Sequence, residues 1–223
     1  MTFMRLPTWA DPSLLTHPNV PKPLHQVNPR SIRGKTWWDK VRRETYAVHG
    51  DHCFACGVHK SRAKGNRKWL EAHERYDIDA EAGRVYFRGL VALCPWCHQF
   101  IHSGRLFALY QKGEVSKDFA WGVLTHGMNL LDRCNKERGT DLKPFWFTLV
   151  FAYMLSGNRS IEDALDIVRK KVDITDGPAA PWEEWRLILD DGSEHGPKFE
   201  TYESWLEEFG ADVSQTIDQR GWK

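Results

Sequence analysis

Two Cys-x-x-Cys pairs constrain the fold of this chain more than any other feature of its sequence. The first pair, Cys53 and Cys56, lies in the segment CFAC, and the second, Cys94 and Cys97, lies in CPWC. Four thiolates at this spacing suit one closed tetrahedral zinc site, because each pair of soft sulfur ligands holds the ion from one side. The alternatives are disulfides or free thiols, and the pattern favours structural Zn²⁺ over both.

Three histidines accompany the cysteine pairs. His73 lies between the pairs in LEAHE, and His98 and His102 follow the second pair in CPWCHQFIH. A four-cysteine zinc site does not need them, so they are available for a second, open site where a divalent ion acts on a substrate. We predict one helix over residues 96–110, which places His98 and His102 on one face. The competing interpretations are a His98 that displaces a cysteine at the zinc and a simple helix-face position for His102.

The composition is typical of a globular protein without membrane spans. Hydrophobic residues make up 41% of the 223 residues, enough for a core in one or two domains. The longest apolar-rich stretch, residues 145–155, is shorter than the roughly 18 residues that a membrane helix needs. The N-terminus lacks the apolar centre of a signal peptide, so we expect a cytoplasmic protein with no membrane partner. In that reducing compartment paired cysteines indicate metal binding, and the fifth cysteine, Cys134, is predicted to be a buried thiol.

The net charge of +1 conceals an uneven distribution. Residues 30–68 contain eleven Lys and Arg against three acids, a net charge of +8, whereas residues 69–223 carry −8. Basic segments attract nucleic acids, mainly because they release counterions from the phosphate backbone. A solvated basic face beside a metal site has the same composition. The candidate nucleic-acid-binding residues are Arg42, Arg43, Lys60, Arg62, Lys64, Arg67 and Lys68.

Shifts in composition predict three regions. Residues 1–34 contain six of the eleven prolines and are predicted to form an extended, irregular N-terminal arm. Residues 35–112 contain the cysteines and histidines described above and are predicted to form the metal-binding core. Residues 113–223 are predicted to form a mainly helical C-terminal domain of unknown role, which is the candidate surface for a protein partner or a homodimer.

Local patterns predict an α+β fold class. In the core, a strand at 69–73 is followed by a polar loop, a second strand at 84–93 and the histidine helix. Before these elements we predict a helix at 36–48, because its first turn has capping-box spacing. The remaining predicted elements are helices at 119–138, 145–156 and 160–171, a short strand and turn at 185–192, and a final helix stopped by Gly210.

Each Cys-x-x-Cys pair forms a tight turn, or knuckle. The chain resembles the HNH, or His-Me finger, endonucleases that carry a zinc-binding cysteine pair at each end. It shares their order of elements: a knuckle, a strand with a histidine, a loop, a second strand, a second knuckle and a helix with histidines. The segments that carry the resemblance are CFAC (53–56), LEAHE (70–74), GLVALCPWCH (89–98) and His102. The resemblance covers residues 36–110, about a third of the chain. It implies a zinc-stabilised ββα-metal core followed by the mostly α-helical C-terminal region.

The resemblance also implies roles for individual residues. A divalent cation such as Mg²⁺, Mn²⁺, Ni²⁺ or Zn²⁺ would contact the scissile phosphate of DNA and stabilise its developing charge. In the family a strand histidine deprotonates water, an Asn orients it, and later histidines hold the metal. Aligned on the pair His73-Glu74, this chain has His73, His98 and His102 as metal ligands and Glu74 in the base position. In the alternative, His73 is the base and only the helix histidines bind the metal. Taken together, the two alignments imply His73, Glu74 and His98 as catalytic residues.

The chain departs from the family pattern at two positions, Glu74 and Gly89, the second of which stands where the Asn is expected. The implied function is a metal-dependent HNH endonuclease that nicks or cuts DNA, and a phage, mobile element or defence system is the setting typical of such enzymes. Because of the two departures, the alternative is a catalytically weak or inactive HNH-fold module that binds DNA or a protein partner. A third possibility is a structural zinc protein that acts through its helical region.

Overall fold

The structure is a computed structural model that describes residues 6–17, 19–63, 69–172 and 179–209. Within these residues the fold is mixed α+β, with seven α-helices and one four-stranded sheet of order β1-β2-β3-β4. The helices and strands are α1 (Pro29–Val48), β1 (Glu71–Asp79), β2 (Arg84–Leu93), α2 (Pro95–Ile101), α3 (Ser103–Gln111), α4 (Lys117–Arg138), α5 (Trp146–Gly157), α6 (Ile161–Arg169), β3 (Arg186–Ile188), β4 (Glu194–His195) and α7 (Tyr202–Phe209).

Contacts divide the chain into two compact units that interleave along the sequence. One unit comprises Met1–Asn19, Arg43–His73 and Val91–Ile174, and the other comprises Val20–Arg42, Glu74–Leu90 and Thr175–Lys223. All predicted zinc and histidine ligands belong to the first unit. The three sequence ranges 1–34, 35–112 and 113–223 stay a prediction, because compactness does not establish which part of a chain folds or functions alone.

The second predicted strand is confirmed, but the first is longer than predicted. Strand β2 covers residues 84–93 as expected, whereas β1 runs from Glu71 to Asp79 through most of the predicted polar loop. The reason is an alternation in ERYDID. Tyr76 and Ile78 pack with Val85 in the apolar cluster of the second unit, whereas the alternating Arg75, Asp77 and Asp79 are exposed. The chain then turns at Gly83, whose φ of +65° favours glycine.

The predicted single helix over 96–110 is wrong, because two helices meet at His102. This residue has φ −91° and ψ 45°, outside the helical range. Hydrogen bonds nevertheless continue on both sides: the His102 amide donates to the His98 carbonyl at 3.1 Å, and the Leu106 amide donates to the His102 carbonyl at 3.0 Å. Ser103 and Gly104 follow the break, and both are weak helix formers.

Helix α4 packs closely on α2 within the first unit. A Cβ atom added at Gly122 would lie 3.0 Å from the Trp96 ring, and one added at Gly127 would overlap the Phe100 ring. These two glycines therefore let the backbone of α4 approach the helix that carries Cys97 and the histidines. Further along the unit, Ser103 at the start of α3 hydrogen-bonds Thr148 of α5 at 2.9 Å, and both side chains are buried.

The proline-rich N-terminal segment is more ordered than predicted. It contains two 3₁₀-helices, Pro12–Thr16 and Lys22–Leu24, and helix α1 begins at Pro29 and is interrupted at Gly34, where φ is +82°. Leu14 and Leu15 are buried in the first unit, at 3% and 2% exposure. Burial of these side chains outweighs the preference of proline for irregular backbone. Residues 12–16 and 22–24 therefore form short helical turns within a segment predicted to be irregular.

The C-terminal helices agree closely with prediction. Ser160 caps α6 as expected, since its hydroxyl accepts a hydrogen bond from the Asp163 amide at 3.1 Å. In the second unit, β3 pairs in parallel with the start of β2 and antiparallel with β4. The predicted stop at Gly210 lies outside the described residues. Among the residues that are described, every helix is too short or too polar to cross a membrane.

Candidate metal centres

The structure brings the four predicted cysteines into one cluster. Their Sγ atoms all lie within 4.8 Å of one another, and the Sγ atoms of Cys56 and Cys94 are 3.8 Å apart. Two sulfurs bound tetrahedrally to one zinc ion at about 2.3 Å are also separated by about 3.8 Å. A disulfide needs about 2.05 Å, and all four residues are free cysteines. The cluster therefore has the dimensions of a metal site such as a four-cysteine zinc site.

Local backbone contacts hold the two cysteine pairs in position. The Cys53 amide donates to the Val58 carbonyl at 2.8 Å and so closes the first knuckle, while the Phe54 amide donates to the Ala92 carbonyl at the end of β2 at 2.7 Å. The second of these bonds ties the first knuckle to the strand that leads into Cys94. Because Cys94 caps α2 and Cys97 lies in its first turn, the helix orients the second pair.

The electrostatics of the sulfur cluster fit a bound cation. Burial opposes ionisation of the Cys53 thiol, but hydrogen bonds from the other three thiols hold its pKa well below the usual range. Hydrogen bonds to Cys53 and Cys56 raise the pKa values of Cys94 and Cys97. One negative charge thus suppresses others nearby, so four thiolates can coexist only around a cation such as Zn²⁺.

His126 of α4 contacts the cysteine cluster, which the sequence did not reveal. Its Nε2 atom lies 3.4 Å from the Cys97 sulfur, within range of a hydrogen bond from the imidazole to the sulfur. The same ring packs against Trp96 with ring centres 5.6 Å apart. His126 follows Cys97 by 29 positions, so no local motif could have identified the contact.

The structure also brings the three predicted histidines together. The ring centres of His73, His98 and His102 are separated by 5.3, 5.1 and 4.7 Å, and one nitrogen from each lies within 4.8 Å of the others. Three imidazoles bound tetrahedrally through nitrogen at about 2.1 Å place their ring centres roughly 5 Å apart. The histidine cluster therefore has dimensions suited to one divalent ion.

Glu71 orients one of these histidines. Its carboxylate accepts a hydrogen bond from Nδ1 of His98 at 2.5 Å, which leaves Nε2 of His98 for a metal. Burial opposes ionisation of Glu71, but hydrogen bonds from His98 and Trp69 hold its pKa below the usual range. The sequence analysis missed Glu71, although its position two residues before His73 on a strand places both side chains on one face.

The other two histidines are neutral at physiological pH. Burial, and then the neighbouring His102 and His98, lower the pKa of His73 to about 2. Burial and the charge of His98 lower the pKa of His102 to about 3. Neutral imidazole is the form that binds metal. The Nδ1 atom of His73 is buried with no hydrogen-bond partner among the described residues, which fits a nitrogen that binds a metal ion.

The two positions that depart from the family pattern are not members of the histidine cluster. Successive strand residues face opposite sides, so Glu74 shares the face of Tyr76 rather than that of His73. The charge of Glu74 also adds to burial in raising the pKa of Tyr76. Gly89 adopts φ +98°, and a Cβ atom there would meet nothing within 4 Å. Neither residue belongs to the histidine cluster.

The predicted nucleic-acid-binding residues differ in how far acids neutralise them. Arg42 pairs with Asp39 at 2.9 Å, and Lys60 pairs with Asp51 at 2.6 Å. Arg62, on a short 3₁₀-helix, and Arg43, on α1, are both exposed. The other three, Lys64, Arg67 and Lys68, lie outside the described residues.

Comparisons with protein-family models, curated proteins and solved structures found no match to this chain. The geometry of the two clusters is therefore the evidence from which a function is inferred.

Proposed function

We propose that this protein is a metal-dependent endonuclease of the HNH type that hydrolyses phosphodiester bonds in DNA. The observation that carries the proposal is the convergence of His73, His98 and His102 beside a separate four-cysteine cluster. The cysteines suit a closed structural site, whereas three imidazoles leave coordination positions for water and substrate. An open site of this kind supports hydrolysis.

The proposed core is a ββα-metal unit made of β1, β2 and α2. The two strands are neighbours in the sheet, a short turn joins them, and α2 follows β2 directly. This unit supplies His73 from β1 and His98 from α2, with His102 at the junction to α3. The cysteine cluster lies at the end of β2 and the start of α2, where bound zinc would stabilise the same helix.

Each residue has a role in the proposed mechanism. A divalent cation such as Mg²⁺, Mn²⁺, Ni²⁺ or Zn²⁺ would stabilise the charge that develops on the phosphate and the leaving oxygen. His73 and His102 hold the cation as neutral ligands, and Glu71 fixes the ring and tautomer of His98. Glu74 faces away from these ligands, so its position does not support the base role that the resemblance implies.

A second candidate function is a catalytically weak or inactive module that binds DNA or a protein partner. The positions of Glu74 and Gly89 favour it, because neither supplies a proton acceptor or an orienting amide to the histidine cluster. In this case the histidine scaffold serves binding, and the helical region beyond residue 113 is the candidate partner surface.

Nicking of supercoiled plasmid distinguishes the two functions. Purified protein is tested with EDTA and with added Mg²⁺, Mn²⁺, Ni²⁺ or Zn²⁺, beside the variants His98→Ala and His195→Ala. His195 is a matched control because its side chain hydrogen-bonds Ser193 in the other unit. We expect metal-dependent nicking that His98→Ala abolishes and His195→Ala preserves. Folded, zinc-loaded protein that nicks with none of these metals would refute the nuclease and favour the binding module.

A further inference from the structure

We infer that Arg105, on α3, binds a phosphate group of the nucleic acid beside the histidine cluster. The inference rests on the proposed function, because it assigns a substrate contact to that same site. Arg105 lies outside the basic segment 30–68 on which the charge pattern of the sequence focuses. It therefore adds a contact that neither charge blocks nor motifs indicated.

The position of Arg105 follows from the geometry of α3. It comes three residues after His102, the cluster member from which α3 begins, and side chains at this spacing lie on neighbouring parts of a helix surface. As expected for a neighbour of His102, its positive charge contributes, after burial and the charge of His98, to the lowered pKa of His102. Its side chain is exposed, so it can reach a bound ligand.

Arg105 also differs from other basic residues in its partners. Within the described part of the chain its side chain makes no hydrogen bond and no ion pair, in contrast to Arg42 and Lys60. Glu71, whose pKa the charge of Arg105 also lowers, already accepts hydrogen bonds from His98 and Trp69. The five donors of the guanidinium are therefore available for a phosphate, which arginine recognises through paired hydrogen bonds.

The charge balance of the two clusters supports an anionic ligand here. A divalent ion held by the three imidazoles would bring a charge of +2 to a site where Arg105 and Glu71 otherwise balance each other. The site then remains positive and attracts phosphate. Four thiolates around Zn²⁺ instead give a net negative charge, so the cysteine cluster repels the same ligand.

The test measures DNA binding separately from cleavage. Affinity for a short fluorescent duplex DNA is measured in EDTA over a range of salt concentrations, for wild type, Arg105→Gln and Lys112→Gln. Lys112 is a matched control, because it is exposed at the other end of α3 and its replacement removes the same charge. Circular dichroism and zinc content verify that both variants fold.

We expect Arg105→Gln to weaken binding at every salt concentration and to reduce the slope of log affinity against log salt by about 0.9, as the loss of one phosphate contact requires. Lys112→Gln should leave the slope unchanged, and Arg105→Lys should restore most of it. Equal slopes and affinities for Arg105→Gln and Lys112→Gln would overturn the inference even if the wild type cleaves DNA. A wild type that does not cleave, but whose slope depends on Arg105, would refute the nuclease and retain the phosphate contact.

Discussion

The cysteine and histidine clusters share helix α2 but differ in chemistry, burial and surroundings. The cysteine cluster has three almost fully buried members, Cys53, Cys94 and Cys97, and its sulfur atoms stand at the separation of a closed tetrahedral site. The histidine cluster has one fully buried member, His73, and two that are partly buried. The Glu71 carboxylate hydrogen-bonds His98, and Arg105 follows His102 by three residues on α3.

One short helix thus carries members of both candidate metal clusters. Cys97 and His98 are adjacent in α2 and point into different clusters, because successive helix residues are about 100° apart around the axis. An ion at the cysteines would fix the N-terminal end of the helix, and the histidines at its C-terminal end would then be held in a defined geometry.

The largest expected effect is that of removing one sulfur ligand. Cys97→Ala should abolish stable folding of the first unit, because structural zinc contributes about 10 to 16 kcal/mol, more than a typical domain stability. Zinc content by mass spectrometry and thermal unfolding measure the effect. The control is Cys134→Ala, which removes a buried thiol outside the cluster and should keep the zinc. A Cys97→Ala protein that retains zinc and the wild-type Tm would contradict a structural role for the cluster.

Chelation should separate the two clusters by their exchange behaviour. We expect dialysis against EDTA to remove the ion at the histidines and all nicking activity, while the far-ultraviolet circular dichroism and the zinc at the cysteines persist. The physical reason is that an open three-ligand site exchanges its ion through solvent, whereas four thiolates enclose theirs. Metal analysis before and after dialysis measures this. Loss of both ions together, with unfolding, would show that the sites are not independent.

Close packing of α4 should stabilise both clusters. Gly127→Ala should destabilise the protein by about 2 to 3 kcal/mol, because a methyl group overlaps the Phe100 ring between Cys97 and His102. Gly104→Ala is the control, since a Cβ atom there meets nothing within 4 Å. That variant should stabilise α3 by up to about 1 kcal/mol. Urea unfolding compares them, and equal midpoints would refute the close approach of the two helices.

The smallest predicted effect concerns Glu71 and leaves the cysteine cluster unchanged. Glu71→Gln should weaken metal binding at the histidines roughly 10- to 100-fold, because the carboxylate orients His98 and increases its basicity. Isothermal titration of EDTA-treated protein with Mn²⁺ or Ni²⁺ measures the affinity. Glu74→Gln is the control on the opposite face of β1 and should bind metal like the wild type. If Glu74→Gln weakened metal binding and Glu71→Gln did not, Glu74, rather than Glu71, would lie beside the site.

Much of the local structure could be predicted because its signals are local. Strand β2, the C-terminal helices and the Ser160 cap agree with prediction, since each depends on residues close in sequence. The failures have particular causes. The length of β1 depended on Tyr76 packing in the second unit, and the N-terminal 3₁₀-helices depended on burial of Leu14 and Leu15. Such packing joins residues far apart in the chain, which local patterns do not register.

By itself the sequence determined the number and chemistry of the donor residues, four thiols and three imidazoles, and their grouping by spacing into knuckles and a histidine turn. Only the tertiary structure decided which groups surround them. It placed Glu71 rather than Glu74 beside His98, and His126 beside Cys97. The physical reason is that donor type is a property of each residue, whereas orientation, burial and charge balance arise when strands and helices distant in sequence pack together.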